Sequence, residues 1–200
     1  MTLPVTPQFM LDVAPIEWLA LPRDYQNAGE MEVLAALARS IAARDMLEIG
    51  CRDGRTAKLM LHNVPTLQRY QGIDVKPGYR PQHSHQLSEM PKIPGLYAND
   101  NPRFELILRP RGSLDLNADD LPPCDIAYID GDHGNIAVNH DSNLAFKVVR
   151  ESGLIVWHDY NNATTVDVKK IIDFYARCGY PIKLIEGTWF AYMRNRRYPT

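Results

Sequence analysis

The sequence predicts an α/β domain, a three-layer Rossmann-like sandwich whose mostly parallel seven-stranded sheet ends in an antiparallel C-terminal hairpin. Three observations carry that expectation. Short apolar runs alternate with stretches of helical period, as successive βα units require. The run 154–157, Leu-Ile-Val-Trp, is apolar at every position, the pattern of a strand covered on both faces. Met46-Leu47-Glu48-Ile49 leads into a turn holding Gly50 and Gly54, and Gly72-Ile73-Asp74 ends a second apolar run. A strand, a glycine turn, a helix and a trailing acid place a nucleoside ligand across the carboxyl ends of parallel strands, with its ribose facing the acid.

The elements follow in order. Residues 1–28 carry prolines at 4, 7, 15 and 22 with Trp18 and Tyr25, and read as a partly irregular arm packed on a domain that spans 29–200. Met31, Val33, Leu34, Leu37, Ala38 and Ile41 recur at helical spacing and predict a helix over 29–43. The first strand covers 46–49, a helix 56–62 and the second strand 70–74. Residues 76–102 are rich in proline, glycine, histidine and asparagine without a period, which marks either a substrate loop or an ordered insertion. Strands at 104–108 and 125–130, a helix over 136–149, a strand at 154–157 and a helix over 166–176 complete the alternation. Segments 182–184 and 189–193, joined by Glu186-Gly187-Thr188, form the hairpin at the sheet edge.

Composition narrows the function. The 22 basic and 24 acidic side chains give a formal charge of −2, which supplies no general attraction for nucleic acid or an anionic membrane. Three widely spaced cysteines argue against a disulfide framework and for a reducing compartment. There is neither a leader pattern nor an apolar run of membrane-spanning length, so a soluble cytoplasmic protein is expected.

The first turn selects the ligand. A dinucleotide fingerprint needs a middle glycine where this chain has Cys51, and the charge of Glu48 would oppose a diphosphate. A nucleoside without phosphate suits the turn better, and S-adenosylmethionine (SAM), with its sulfonium, ammonium and ribose hydroxyls, is such a ligand. A nicotinamide-dependent oxidoreductase is the alternative. Two further strands end in Asp130-Gly131-Asp132-His133 and His158-Asp159-Tyr160-Asn161-Asn162. These ends share one rim of a parallel sheet, where Asp130 and Asp159 with an amide oxygen would hold magnesium or another divalent cation. Imidazoles from His133 or His158 would shift the preference toward manganese, iron or zinc. The plainer roles are a helix cap for Asp132, a structural hydrogen bond for His133, and loop orientation for Asp130 and Asp159. Trp157 reads as core, and Tyr160 as the better pocket residue.

Together, Leu47-Glu48-Ile49-Gly50, Gly54, Gly72-Ile73-Asp74, Ile129-Asp130-Gly131-Asp132-His133 and Trp157-His158-Asp159-Tyr160 resemble the class I SAM-dependent methyltransferases. Within them the chain is most similar to small-molecule and sugar O-methyltransferases, over about residues 30 to 195. The resemblance implies that Glu48, Gly50, Cys51 and Gly54 surround the methionine part of SAM, and that Asp74 binds the ribose. It implies further that Gly112 and Ser113 border the adenine, and that Asp130 lies near the ammonium or a metal. Metal-dependent relatives place acids after the fourth and fifth strands, matched by Asp130 and Asp159. Their amide ligand follows directly, where this chain has Tyr160 and only then Asn161. The expected reaction is methyl transfer to a hydroxyl of a small acceptor such as a sugar or glycoside, with His158 preferred over His133 as base when no metal is present. A SAM-binding protein without activity is a further alternative, and the edge hairpin or the arm would supply a homodimer surface.

Overall fold

The computed structural model describes residues 15–22, 29–81, 87 and 90–196, so Tyr25 and the rest of the arm lie outside the described residues. In chain order the elements are α1 (Glu30–Ser40), β1 (Asp45–Ile49), α2 (Arg55–Asn63), β2 (Arg69–Val75), β3 (Phe104–Arg109), β4 (Cys124–Ile129), α3 (Asn135–Val148), β5 (Val149–Trp157), α4 (Val166–Arg177), β6 (Lys183–Leu184) and β7 (Ala191–Arg194). The seven strands form one sheet in the order β3-β2-β1-β4-β5-β7-β6. Strands β1 to β5 run parallel, and β7 lies antiparallel between β5 and β6. The hairpin therefore enters the sheet by its second arm, leaving the two-residue β6 at the edge.

Period-two alternation divides the interior into two cores. Ile126 and Tyr128 of β4, with Leu154 and Val156 of β5, pack beneath α1 and α2. Their alternates Ala127, Ile129, Ile155 and Trp157 pack beneath α3 and α4. Both faces of the central strands are thus buried, which is why 154–157 has no polar position. Each fully buried leucine or isoleucine here contributes roughly 1.5–3 kcal/mol of apolar transfer. Trp157 belongs to the core as expected, and its Nε1 donates to Ser142 Oγ at 3.0 Å. Ile16, Trp18, Leu19 and Leu21 of the arm pack against the first core.

Two local features depart from the sequence pattern. Strand β5 starts at Val149, directly out of α3, and a register shift opposite Cys124 and Ile126 absorbs the extra residues. The later part of 76–102 is anchored: Gly95 N donates to Arg52 O and Tyr97 N to Asp53 O, both at 2.8 Å. These bonds brace the turn after β1 from outside, an interaction between segments that carries no local sequence signal.

The backbone at Gly50 fixes the packing of β1 against the turn after β4. Its φ is +87°, and a Cβ there would stand 2.2 Å from Asp130 O. At Gly78 φ is +98° with nothing within 4 Å of the same virtual atom. Gly50→Ala is expected to lower unfolding stability in urea by at least about 3 kcal/mol, whereas Gly78→Ala, with torsional strain alone, costs about 1 kcal/mol. Equal effects of the two substitutions would contradict this account.

Candidate functional site

Strand register builds the site. Ile49 pairs with Ile73 and with Ile129, and Ile129 pairs with Trp157. The next residues, Gly50, Asp74, Asp130 and His158, therefore stand in one row along the carboxyl ends of four strands. Backbone hydrogen bonds continue the ladder by one step: Gly50 N to Ile73 O, Asp130 N to Ile49 O and His158 N to Ile129 O, at 2.8, 2.8 and 3.0 Å. Strand order reverses at β1, where open α/β sheets leave a crevice. A cavity of about 580 Å³ occupies it, within the range of small-molecule sites.

One half of the cavity is formed by the turn after β1, Asp74 and the Gly112–Leu114 segment. Asp74 is buried; its Oδ2 accepts from Arg52 N and its Oδ1 from Val75 N at 2.7 Å. Burial pushes its carboxyl up to about 6, and the two backbone donors limit the rise. Glu48 lies at the floor and accepts from Tyr70 OH at 2.9 Å. Burial raises its pKa well above the carboxylate range, partly offset by that bond. That upward shift weakens the charge that Glu48 would set against a diphosphate. Cys51 reaches under β2: a Cβ on Gly72 would lie 2.8 Å from its Sγ. Gly112 adopts φ +60°, a conformation that suits glycine, and turns Ser113 toward His140 and Asp141.

The other half collects charge. His158 is 8% exposed, with Nε2 at 2.9 Å from Glu30 Oε2 and Nδ1 at 3.0 Å from Asp130 Oδ1 and 3.3 Å from Asp159 Oδ2. Burial alone would lower its pKa, but Asp130, Asp159 and Glu30 outweigh it and hold the imidazole well above its usual value. Carboxylates therefore stand at both ring nitrogens of His158, the residue that the sequence made the preferred base for transfer without a metal. His133 Nε2 stands 3.0 Å from Asp159 Oδ2 and 3.8 Å from Asp130 Oδ1. Neither approach has hydrogen-bond geometry, and both buried ring nitrogens are without such a partner. Against burial, the two carboxylates push its pKa up to about 10. The same imidazoles hold Asp130 and Asp159 below the usual carboxylate range, although burial opposes this.

Asp130, His133 and Asp159 present ligand atoms within 4.8 Å of one another. Asn161 is exposed and does not line the cavity. The amide at this position is Asn162, which lines the cavity and donates to Asp159 Oδ1 at 2.8 Å. Tyr160 also turns away, its hydroxyl bonded to Asp173 and Lys169 on α4. Asp132 Oδ1 accepts from Gly134 N, one residue before α3, and Oδ2 from Tyr79 OH at 2.7 Å. Glu30, Tyr79, Met90 and Trp189 line the cavity without having been marked by any motif.

Beneath this floor, Asp141 of α3 is 1% exposed, its Oδ1 without a hydrogen-bond partner. Burial pushes its carboxyl up to about 7. An unfolded aspartate releases its proton near pH ~3.9, so the neutral acid's contribution to stability is complete below that value and lost as pH rises to about 7. Asp141→Asn should therefore gain on the parent protein between pH 4 and 7, and exceed it by a few kcal/mol at pH 8. Urea unfolding at pH 4, 5.5 and 8 measures this, and a difference independent of pH would refute it.

With the geometry established, the chain can be set beside known proteins. A family model described as a methyltransferase domain matches residues 47–160, more than half of the chain. The cofactor-bound Rv0187 from MTB is 21% identical, with a TM-score of 0.58 over 96% of this chain and 88% of that one. A putative O-methyltransferase from Klebsiella pneumoniae is 20% identical, with a TM-score of 0.60 over 88% of this chain and 84% of its own. The O-methyltransferase from Bacillus cereus, in complex with S-adenosylhomocysteine (SAH), is 18% identical, with a TM-score of 0.58 over 93% and 94%. These likenesses show a shared fold. No curated protein matches the chain in sequence. The matched span runs from Leu47 in β1 to Tyr160 beyond β5, taking in every strand end that builds the cavity, and the chain belongs to the methyltransferase-domain family.

Proposed function

We propose that the protein transfers a methyl group from SAM to a hydroxyl of a small molecule, with a sugar or glycoside as the finer expectation. One observation carries this reading: a single cavity runs from Asp74, past the Gly50–Gly54 turn, to the group Asp130, His133 and Asp159. Family membership supports methyl transfer, and the likeness to the Bacillus cereus O-methyltransferase supports oxygen as the acceptor. Tyr79, Pro81, Met90 and Pro91 from 76–102 border the cavity, which suits a small acceptor held by a loop. Unpaired Cys51, Cys124 and Cys178 fit a reducing, cytoplasmic location.

In this reading Asp74 receives the ribose hydroxyls, Gly112 and Ser113 border the adenine, and the turn after β1 receives the methionine part. The acceptor oxygen attacks the methyl carbon in line; the C–O bond forms as the C–S bond breaks, its electron pair passing to sulfur and the hydroxyl proton to solvent. SAM already carries a good leaving group, so the protein's contribution is alignment of donor and acceptor. Asp130, His133 and Asp159 suit a divalent cation, since two carboxylates and an imidazole form a mixed oxygen and nitrogen donor set. A cation held there would lower the pKa of the acceptor hydroxyl. Asp159, in the left-handed region at φ +59°, keeps its carboxylate turned toward His133 and His158.

Calorimetry with SAM, SAH and NADH tests the donor, and labelled SAM with a panel of hydroxyl acceptors, with and without divalent ions, tests the reaction. Saturation by NADH without SAM affinity would reverse the reading, and tight SAM binding without product would favour a non-catalytic binder. Asp74→Ala should weaken SAH binding about 10–100-fold. Because the folded Asp74 carboxyl protonates near pH 6, SAH affinity should fall as pH drops through about 6. Asp74→Asn should abolish that dependence. For the cation, calorimetry with Mn2+ should show His133→Ala and Asp159→Asn weakening binding by at least about tenfold, with Asn161→Ala unchanged. Binding that depends on Asn161 would restore the ligand set expected from sequence.

A further inference from the structure

We infer that Glu30 is a positioning residue of the reaction: by holding His158 it fixes the orientation of Asp130, where the donor and acceptor halves of the cavity meet. The inference rests on the methyl-transfer reading of this cavity.

Glu30 is the first residue of α1 and is fully buried, though it is 128 positions from its partner His158. Burying a carboxylate costs several kcal/mol unless it is paired and hydrogen-bonded. Helix α1 has no packing need for it, since Met31, Val33, Leu34, Ala35 and Ala38 supply the contacts with the core. Both Glu30 oxygens are instead used at the site, Oε1 accepting from Trp189 N at 2.7 Å and Oε2 facing His158 Nε2 at 2.9 Å. The far side of the ring meets Asp130 Oδ1 at 3.0 Å, while Tyr128 OH donates to Asp130 Oδ2 at 3.2 Å. Each oxygen of Asp130 thus has its own donor, and the carboxylate plane is set.

Rings of Tyr128, Phe190 and Trp189 surround His158 with centroids 6.1, 5.5 and 6.0 Å away. Aromatic walls limit tilting of the imidazole but do not decide which nitrogen carries hydrogen. That is decided by the groups at its two ends. With Glu30 present, Nε2 faces Glu30 Oε2 and Nδ1 faces Asp130 Oδ1. With Glu30 truncated, Nε2 faces the aromatic walls, where a bare nitrogen or an unpaired N–H is costly, and the neutral tautomer with hydrogen on Nδ1 loses its enforcement. Asp130 then loses one of the two donors that orient it. A glutamine at position 30 can still accept from Trp189 N and donate its amide hydrogen to Nε2, which leaves hydrogen on Nδ1 for Asp130.

The test compares Glu30→Ala, Glu30→Asp and Glu30→Gln with Glu32→Gln, the last altering a buried acid that holds Trp18 on the arm. Glu30→Ala should lower kcat about 10–100-fold, as loss of an outer partner does, with SAH affinity within about threefold of the parent. Glu30→Gln should recover most of that loss. Glu30→Asp, which keeps the charge but withdraws it by one carbon, should fall between them and carries the test if the alanine variant does not fold. Glu32→Gln should leave kcat unchanged. Unchanged kcat in folded Glu30→Ala or Glu30→Asp would overturn the inference, as would loss in all four variants in proportion to stability. Nitrogen-15 NMR of the histidine rings needs no acceptor: the His158 resonances should move in Glu30→Ala and stay near the parent's positions in Glu32→Gln. A His158 signal unmoved by substitution at Glu30 would sink the inference by itself. A signal that moves as expected, with no turnover by the parent on any acceptor, would instead count against methyl transfer.

Discussion

The close passage of Gly50 beneath the backbone of Asp130 is the contact on which the site depends. No side chain fits between the turn after β1 and the turn after β4, so their peptide groups pack directly and the two halves of the cavity share one wall. Ladder bonds from Gly50 N to Ile73 O and from Asp130 N to Ile49 O hold the arrangement on both sides. The positions of Asp74 and Asp130 relative to each other therefore depend on sheet geometry, which is stiff, and not on loop conformation.

Charge is handled differently along the row. Asp74 and Glu48 are buried without a cation and respond by holding protons more tightly, with backbone or tyrosine donors limiting the rise. Asp130 and Asp159 are supplied with two imidazoles and stay ionised. The contrast follows from what each strand end can reach: Asp74 faces backbone amides of the adjoining turn, whereas the ends of β4 and β5 approach each other closely enough for His133 and His158 to serve both acids. A site of this kind has a hydroxyl-receptive half and a half with fixed charge pairs in one cavity.

Much of this was legible in the sequence because it repeats a local rule. Ile49, Ile73, Ile129 and Trp157 are apolar strand residues followed by a glycine, two acids and a histidine, and a parallel sheet brings such ends to one rim, so Gly50, Asp74, Asp130 and His158 are readable from spacing alone. What could not be read had a different origin. Glu30 opens a helix and looks like an ordinary acid in a first turn, because its partner stands 128 residues away. The exchange of Asn161 for Asn162 depends on the left-handed conformation of Asp159, which rotates the following residues by an amount that spacing does not reveal. Tyr160 was drawn away by Asp173 and Lys169, a competition between two polar sites that only packing could decide. For His158 the sequence showed one neighbouring carboxylate, whereas the fold brings three to its ring.

The described part of the arm bears on where the independently folding unit starts. Glu17 and Asn63 exchange hydrogen bonds, with Glu17 N donating to Asn63 Oδ1 and Asn63 Nδ2 to Glu17 O, at 2.7 and 3.0 Å. Arg55 Nη1 donates to Pro22 O at 2.8 Å beside the turn that cradles the donor half. A fragment trimmed to Gly29 would bare the apolar surface under Ile16, Trp18, Leu19 and Leu21, and would strip the Pro22 acceptor from buried Arg55 and the Trp18 partner from Glu32. The region recognisable by family resemblance is thus shorter than the region needed for autonomous stability, and expression boundaries drawn from the motifs alone would cut through the hydrophobic interior.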